Sequence, residues 1–398
     1  MNHYSNNFIF VIHLMMVFFA FSLQGCKDDD FEPEESFIKV YDDQDMQSNY
    51  FPLSMHPTSD NGYLFLSAKN GSGIHLLKSD ALGEVMWEYD MPSNYVNAVP
   101  NIIERNGNLY FVCMDAVGLF TYVMQVDETA QSASTSQTFP TIPYPLYVYD
   151  NGNSIYLQTY ERESFKTGVY SLNGTMDQII DSGLVDVQVD VEAEIVDHIN
   201  FTGRRFPFFV SKTPEDDYVV INGFNNYSFS GVFLDANLDV AGVYNGAAFD
   251  GGLSAMLPLG GNQFSIARFS YSDVYLNPSA SLSPTAIDIA ESIPAEWNSE
   301  LDADSPILIK QMEIKGTNYS VYLATTKSNQ LVLSFYAAGS SEVVANKYIG
   351  QSIPLKASDF MKTEDGGMMI LTQATVMSSF NRVATIKLSK EELEGLFE

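Results

Sequence analysis

The chain has 398 residues, with 50 Asp and Glu against 20 Lys and Arg, which gives a formal net charge of −30 at pH 7. An excess of acid this large excludes binding to nucleic acid or to anionic lipid through a basic patch. It is compatible with divalent cations, with cationic or neutral ligands, and with solubility alone.

The first 25 residues have the features of a secretory signal peptide. Phe8 to Phe21 form an apolar run broken only by His13, which is too short to span a bilayer as a helix. The run is followed by Leu23-Gln24-Gly25-Cys26, which resembles the lipobox of bacterial lipoproteins. The resemblance implies cleavage before Cys26 and acylation of its thiol, so that lipid anchors the chain to a membrane. Because residues 1–25 contain no Lys or Arg, an ordinary cleaved signal peptide with a nearby cysteine is the alternative interpretation.

Residues 26–35 predict a disordered acidic linker. Six of the nine residues from Lys27 to Glu35 are acidic, and such a segment buries too little apolar surface to fold. Lys27, Asp28, Asp29 and Asp30 directly follow the cysteine and resemble the surface-export signal of Bacteroidota lipoproteins. That resemblance implies an outer-membrane protein that faces the cell exterior, while a spacer without address information is the alternative.

Turn residues repeat at a regular interval through the rest of the chain. Asn61-Gly62, Asn106-Gly107 and Asn151-Gly152 stand 45 residues apart, and each precedes a short apolar run. Four weaker copies begin at Asp216-Asp217, Gly260-Gly261, Gly316-Thr317 and Asp365-Gly366-Gly367. Seven units of this length are typical of a β-propeller.

We therefore predict an all-β fold, a single β-propeller of seven four-stranded blades over residues 36–398; six or eight blades are also compatible. The first unit holds strands at Leu53–Pro57, Tyr63–Ala68, Ile74–Lys78 and Val85–Tyr89. The last unit has three clear strands, and Phe37–Tyr41 can supply its fourth and close the ring. The chain ends in Ser389-Lys390-Glu391-Glu392, which predicts a short C-terminal helix. Cys113 lies within an apolar strand and is predicted to be a small buried hydrophobe.

Two insertions interrupt the repeats, at Asp181–Asn200 and Asn277–Ser305, the second with a possible helical turn at Ala286–Ile293. In the first, alternation would place Asp186, Asp190, Glu192 and Glu194 on one face of a strand, together with Gln188. Four carboxylates on one face could bind calcium, and a charged edge strand is the alternative. No other cofactor is expected.

The turns between the second and third strands should open together at one end of the propeller. In units three to five they carry aromatic residues mixed with Arg and Asn, a composition typical of binding surfaces. The predicted ligand-binding residues are Tyr160, Arg162, Phe165, Asn225, Asn226, Tyr227, Arg268, Phe269 and Tyr271, with Phe224, Phe229 and Tyr275 beside them. The alternative is that these aromatic residues pack between blades.

The units at Asp365–Leu371 and Leu77–Trp87 resemble the repeats of bacterial extracellular β-propeller lipoproteins. Trp87 occurs in one unit only, which departs from the tryptophan motif of propellers that bind pyrroloquinoline quinone. The resemblance implies a cell-surface protein that binds a glycan or peptide ligand, or an outer-membrane protein complex, through one face and without catalysis. An enzyme using channel carboxylates, either a glycoside hydrolase or a lyase, and a purely structural scaffold are the alternatives.

Overall fold

The computed structural model describes residues 36–41, 47–215, 217–350, 352–377 and 379–398. The signal peptide, Cys26, the motif from Lys27 to Asp30 and the linker lie outside these residues and stay predictions. Within the described ranges, no helix is both long enough and apolar enough to cross a membrane.

The strands form seven small sheets arranged as the seven blades of a propeller, which confirms the predicted fold class and blade number. Blade 1 contains β2 (Tyr50–Pro57), β3 (Tyr63–Lys69), β4 (Gly73–Ser79) and β5 (Val85–Asp90). Blade 2 contains β6 (Tyr95–Val96), β7 (Ile103–Arg105), β8 (Asn108–Asp115), β9 (Phe120–Asp127) and β10 (Ser132–Pro143). Blade 3 contains β11 (Pro145–Asp150), β12 (Ile155–Glu161), β13 (Lys166–Leu172) and β14 (Ile179–Asp186).

Blade 4 contains β15 (Phe209–Lys212), β16 (Val219–Asn225), β17 (Ser228–Leu234), β18 (Val240–Asn245) and β22 (Ile287–Ile289). Blade 5 contains β19 (Gly251–Gly260), β20 (Gln263–Ser270), β21 (Asp273–Ser281) and β23 (Glu296–Asn298). Blade 6 contains β24 (Leu308–Ile314), β25 (Thr317–Thr325), β26 (Leu331–Ala337) and β27 (Val343–Ile349). Blade 7 contains β28 (Leu355–Lys362), β29 (Met368–Val376), β30 (Phe380–Leu388) and, from the start of the described chain, β1 (Phe37–Tyr41).

The N-terminal strand closes the ring as predicted. β1 pairs antiparallel with β30 from Phe37 opposite Lys387 to Tyr41 opposite Val383, and so becomes the outermost strand of blade 7. The hydroxyl of Ser36 donates a 2.7 Å hydrogen bond to Glu392 in the C-terminal helix α2 (Lys390–Gly395). Both ends of the described chain therefore meet on one blade, and β30 has no free edge.

The blades stack because both faces of each sheet are apolar. In β3, Leu64 and Leu66 pack against blade 2, whereas Phe65 between them packs against blade 7. A strand that is buried on both faces needs a continuous apolar run rather than an alternating one, and the repeated runs of the sequence meet this need. Cys113 is fully buried in the layer between blades 1 and 2, as predicted.

Polar side chains hold the inner strands in place between blades. The pairing of β28 with β29 shifts register between Ala357 and Asp359, as it does in the inner strands of blades 1, 3 and 5. Such bulges leave backbone groups unpaired. The amide of Ala357 donates to Thr325 Oγ1 of blade 6 at 2.9 Å, and Asp359 accepts from the Met55 amide of blade 1 at 3.1 Å. Blade 7 is thus joined through its inner strand to blade 6 and to blade 1.

One small motif recurs where the first and second strands join. In blade 1, Asp60 accepts hydrogen bonds from the Gly62 amide at 3.2 Å and from the ammonium of Lys78, which is 1% exposed and also donates to Thr58. Burial alone would raise the pKa of Asp60, but the hydrogen bonds from Lys78 and Thr58 lower it to about 2.

Blade 7 repeats the same contacts. There Asp365 accepts from Thr363, Gly367 and the buried Lys387. The motif therefore fixes the turn to the third strand in the two blades that meet at the closure of the ring.

The acidic segment does not form the predicted strand. β14 ends at Asp186, and a helix α1 (Glu192–Asn200) follows. Val191, Ile195 and Ile199 are buried at a spacing of four residues, which is the period of a helix, and this apolar spacing outweighs the alternation of the acids. The prediction that Asp186, Asp190, Glu192 and Glu194 share one strand face is therefore wrong. In the second insertion, the predicted helical turn is a single 3-10 turn at Ala290–Ser292 that follows the short strand β22.

Candidate functional site

The turns between the second and third strands of each blade lie at one end of the propeller, which we call the turn face. The turn face comprises residues 70–72, 116–119, 162–165, 226–227, 271–272, 326–330, 377 and 379. Five of these turns expose a large apolar side chain. They are Val117 (92% exposed), Phe165 (40%), Tyr227 (65%), Tyr271 (69%) and Met377 (77%).

Three of these exposed residues have a backbone conformation of unfavourable free energy. Phe165, Tyr271 and Met377 have φ angles of 52°, 54° and 49°, in the left-handed region. For a residue other than glycine this conformation costs about 1–2 kcal/mol. The left-handed positions at the opposite end of the propeller are mixed, with Asn61 and Gly316 but also Leu238 and Lys315. At Phe165, Tyr271 and Met377 the turn face carries bulky apolar residues where asparagine or glycine would cost less.

The structure divides the predicted binding residues into an exposed and a buried group. Five are exposed on the turn face: Arg162, Phe165, Asn226, Tyr227 and Tyr271. Four are at most 8% exposed because the turns are short and the strands reach further than predicted: Tyr160, Asn225, Arg268 and Phe269. Tyr160 and Phe269, with Phe224 and Phe229 beside them, belong to one buried cluster at this end of the propeller.

A segment from Val187 to Phe208, which we call the cap, contains α1 and fills the turn face over blades 3 to 5. Its apolar residues join one buried cluster with the predicted aromatic residues. The ring of Phe206 in the cap lies 4.9 Å from that of Phe224 and 5.1 Å from that of Phe229. The cap is the feature that the sequence analysis missed, and the spacing of Val191, Ile195 and Ile199 could have revealed it.

The cap also reaches across the ring to blade 1. The ring of Phe201 stacks on that of Phe51 at 4.3 Å. Gly71, with φ of 93°, lies so close that a Cβ atom there would stand 2.7 Å from the carbonyl oxygen of Asn200. The cap is therefore fixed at both of its ends.

Two tyrosines hold the beginning of the cap. The hydroxyl of Tyr144 donates to Glu192 Oε1 at 2.6 Å. The hydroxyl of Tyr160 donates to Asp190 at 3.2 Å and accepts from the Val191 amide at 3.1 Å. Burial raises the pKa of both tyrosines to about 12, with a further contribution from the nearby carboxylates, so both hydroxyls remain protonated and can donate.

A buried histidine holds the end of the cap. His198 Nδ1 accepts a 3.0 Å hydrogen bond from the Phe206 amide, and its ring lies edge-on to Phe208 at 4.8 Å. Burial, with the positive charge of Arg205, holds the pKa of His198 well below its usual range. Its imidazole is therefore neutral at pH 7 and serves as a hydrogen-bond acceptor.

An arginine connects the cap to the exposed part of the turn face. Arg204 Nη1 donates to the carbonyl oxygen of Phe249 at 2.7 Å and to Asp250 at 3.0 Å, and its guanidinium lies 4.9 Å from the ring of Phe269. The Asp250 carbonyl oxygen in turn accepts from the Tyr271 amide at 2.6 Å. The exposed tyrosine is thus supported by a rigid network of contacts.

The structure does not bring the four predicted calcium ligands together. Asp186 pairs with Lys166 at 2.7 Å, Asp190 accepts from Tyr160, and Glu192 accepts from Tyr144. Within the part of the chain that the structure describes, no group of three or more His, Cys, Asp or Glu side chains could hold a metal ion.

Asp359, a buried acid of the inner strands, has a structural role. Asp359 binds the ammonium of Lys310 at 2.6 Å and accepts from the backbone amides of Met55 and Phe360. These contacts join the inner strands of blades 6, 7 and 1, so this carboxylate is committed to holding the ring together.

Comparisons with known proteins support the fold only. The chain is similar to a catalytically inactive variant of virginiamycin B lyase from Staphylococcus aureus, with a TM-score of 0.52 at 9% identity over 89% of this chain and 100% of the other. It is also similar to a putative 6-phosphogluconolactonase from Bacteroides fragilis, with a TM-score of 0.45 at 12% identity over 88% and 98% of the two chains. No protein-family model matches the chain, and no curated protein matches it.

Proposed function

We propose that the chain is a cell-surface lipoprotein that binds a protein partner through the turn face, without catalysis. The observation that carries this proposal is the set of five exposed apolar side chains on the turns of one end. Exposed apolar surface is costly unless a partner covers it, and tyrosine and phenylalanine are enriched in interface centres.

The strained turns support the same proposal. Phe165 and Tyr271 occupy left-handed positions that asparagine or glycine would fill at lower cost. Residues in such conformations concentrate at functional sites, where another requirement outweighs stability. The cap packs among the turns of blades 3 to 5 in one buried cluster, and a preorganised surface reduces the entropy that a partner's binding must overcome.

The test is an affinity pull-down of the tagged, lipidated chain from intact outer membranes, read by mass spectrometry. We expect a stoichiometric protein partner with the unaltered chain and its loss with the double variant Tyr227→Ser and Tyr271→Ser. The control is Tyr348→Ser, which removes a half-exposed tyrosine from the outer strand of blade 6. If the double variant retains the partner as well as the control does, the turn face is not the binding surface.

The anchor is tested separately, because a protein could bind a partner without lipid. We expect Cys26→Ala to release the chain from the membrane fraction, since Cys26 is the proposed acylation site. Continued membrane attachment of this variant would refute the lipoprotein assignment and leave the turn-face proposal intact.

A further inference from the structure

A groove of about 380 Å³ opens on the outer rim of the propeller between blades 5 and 6, away from the turn face. Its volume is within the range of small-molecule sites. The groove is lined by Leu276, Asn277, Pro278, Pro294, Ala295, Glu296, Trp297, Asn298, Tyr336 and Ser341. Most of these residues belong to the second insertion or to the strand before it, so the insertion builds the groove.

The outer strand of blade 5, β23, presents two polar side chains to the groove. Its pairing with β21 places Asn298 opposite Val274 and Glu296 opposite Leu276. Val274 and Leu276 belong to the buried layer between blades 5 and 6, and directly paired residues point to the same face of a sheet. The side chains of Glu296 and Asn298 therefore face blade 6.

The tryptophan between these two residues faces the other way. Side chains alternate along a strand, and the indole N–H of Trp297 donates to Asp273 Oδ1 at 3.1 Å on the face that points away from blade 6. The Trp297 ring therefore lies outside the groove. A variant at this position alters the same strand without removing a polar group from the groove.

Blade 6 supplies the opposite wall of the groove through Tyr336 of β26. The ring of Tyr336 packs edge-on against Tyr322 at 5.2 Å, which holds its position. Burial raises the pKa of the Tyr336 hydroxyl, and the negative charge of Glu296 across the groove raises it further. The hydroxyl is therefore protonated at pH 7 and can both donate and accept a hydrogen bond.

Four polar groups of the groove have hydrogen-bonding capacity that the described residues do not use. The Tyr336 hydroxyl, the Ser341 hydroxyl and the Glu296 carboxylate have no hydrogen-bond or ion-pair partner within the described ranges. The side-chain oxygen of Asn298 accepts from the Glu300 amide at 3.0 Å, which leaves the NH2 group of Asn298 without a partner in the same ranges. The groove thus combines a charged acceptor, an amide donor and two hydroxyls.

This combination restricts the class of ligand. None of the ten lining residues is basic, so an anionic ligand would meet Glu296 without an opposite charge to offset the repulsion. A simple cation would pair with the carboxylate but would face the amide hydrogens of Asn298. A neutral ligand with adjacent hydroxyls fits both groups, because a hydroxyl can donate to a carboxylate and accept from an amide.

We propose that this groove binds a neutral saccharide, whose hydroxyls donate to Glu296 and accept from the NH2 group of Asn298. The apolar walls formed by Leu276, Pro278 and Pro294 contact the C–H surface of the sugar and remove it from water. This site is separate from the proposed protein-binding surface on the turn face and does not depend on it.

The test is calorimetric titration of the full-length protein with methyl glucoside, methyl galactoside, methyl mannoside and N-acetylglucosamine. We expect at least one of them to bind with a dissociation constant of about 0.1–10 mM. The uronic acid of the same sugar should bind at least about threefold more weakly, because its carboxylate is repelled by Glu296. The proposal is overturned if none of the four binds at about 50 mM, or if the uronic acid or lysine methyl ester binds more tightly than every neutral sugar.

Variants locate the site. We expect Glu296→Ala to weaken sugar binding at least about tenfold, because the hydroxyls lose a charged acceptor. Asn298→Asp should weaken it about threefold or more, since it removes the NH2 donor but keeps the oxygen that accepts from the Glu300 amide. Trp297→Ala is the matched control and should bind as the unaltered chain does, and an unchanged melting temperature verifies the fold of each variant. Full binding by Glu296→Ala, or a loss of binding in Trp297→Ala alone, would overturn the proposal.

Discussion

Phe165, Tyr271 and Met377 are three single residues whose conformation and exposure both cost free energy of folding. Each has a left-handed backbone and an exposed apolar side chain, and neither property stabilises the isolated protein. The left-handed region is disfavoured because Cβ approaches the carbonyl oxygen that follows it. A partner of the kind proposed above would account for both properties.

We predict that Tyr271→Gly raises the free energy of unfolding by about 0.5–1 kcal/mol, because glycine relieves the strain and little packing is lost. Chemical denaturation measures the change. Tyr227→Gly is the control, since Tyr227 is equally exposed but its φ is not positive, and it should give no gain. A loss of stability in Tyr271→Gly would show that its turn is not strained.

The buried ammonium of Lys78 is a second costly group, and its contacts with Asp60 and Thr58 explain how the fold tolerates it. We predict that Lys78→Met lowers the free energy of unfolding by about 2 kcal/mol, because Asp60 and Thr58 lose their donor; the partial exposure of Asp60 limits the effect. Lys39→Met should change it by less than about 0.5 kcal/mol, since the Lys39–Glu84 pair is exposed. Equal effects in the two variants would contradict the role assigned to burial.

At the level of elements, the cap contains a buried histidine, His198, whose protonation makes the stability of the fold depend on pH. His198 has a lower pKa in the folded chain than in the unfolded chain, so the unfolded chain binds more protons below pH 6.5. The stabilisation is complete above that pH and is lost progressively as the pH falls from the unfolded pKa toward the lower folded pKa. The slope for one proton is about 1.4 kcal/mol per pH unit.

We therefore expect the free energy of unfolding to fall by about 1–2 kcal/mol between pH 6.5 and pH 5. Denaturation curves at several pH values measure it, and His198→Gln, which keeps an acceptor, should remove most of this dependence. His56→Gln in blade 1 should leave it unchanged. If His198→Gln retains the full slope, the protonation of another group governs stability in this range.

At the scale of the whole molecule, the ring depends on a strand that comes from the other end of the sequence. Deletion of residues 36–41 should expose the edge of β30, lower the melting temperature by about 5 °C or more, and favour dimers through edge pairing. Thermal unfolding and light scattering measure both effects. Ile38→Ala, which trims an exposed side chain but keeps the strand, should leave the melting temperature nearly unchanged.

The propeller could be predicted because its turns carry local information. Asn61-Gly62 and its copies mark one end of each blade, and the apolar runs beside them have the length of strands, so blade number and closure follow from spacing. The cap could not be predicted from the acids of its segment, since their alternation favours a strand while the burial of Ile195 and Ile199 favours a helix. The sequence predicts that Tyr160 and Phe269 lie near the turn face, but it does not predict their burial, which depends on a segment whose position is set by tertiary packing.

The position of β1 also determines at which end of the propeller the preceding chain enters the fold. Phe37 pairs with Lys387, whose ammonium binds Asp365 in a turn at the end opposite the turn face. The chain before Ser36 therefore enters at that opposite end. If Cys26 carries lipid, the nine residues between Cys26 and Ser36 allow a span of at most about 35 Å. The membrane would then lie behind the propeller, and the exposed tyrosines would point toward the surroundings of the cell.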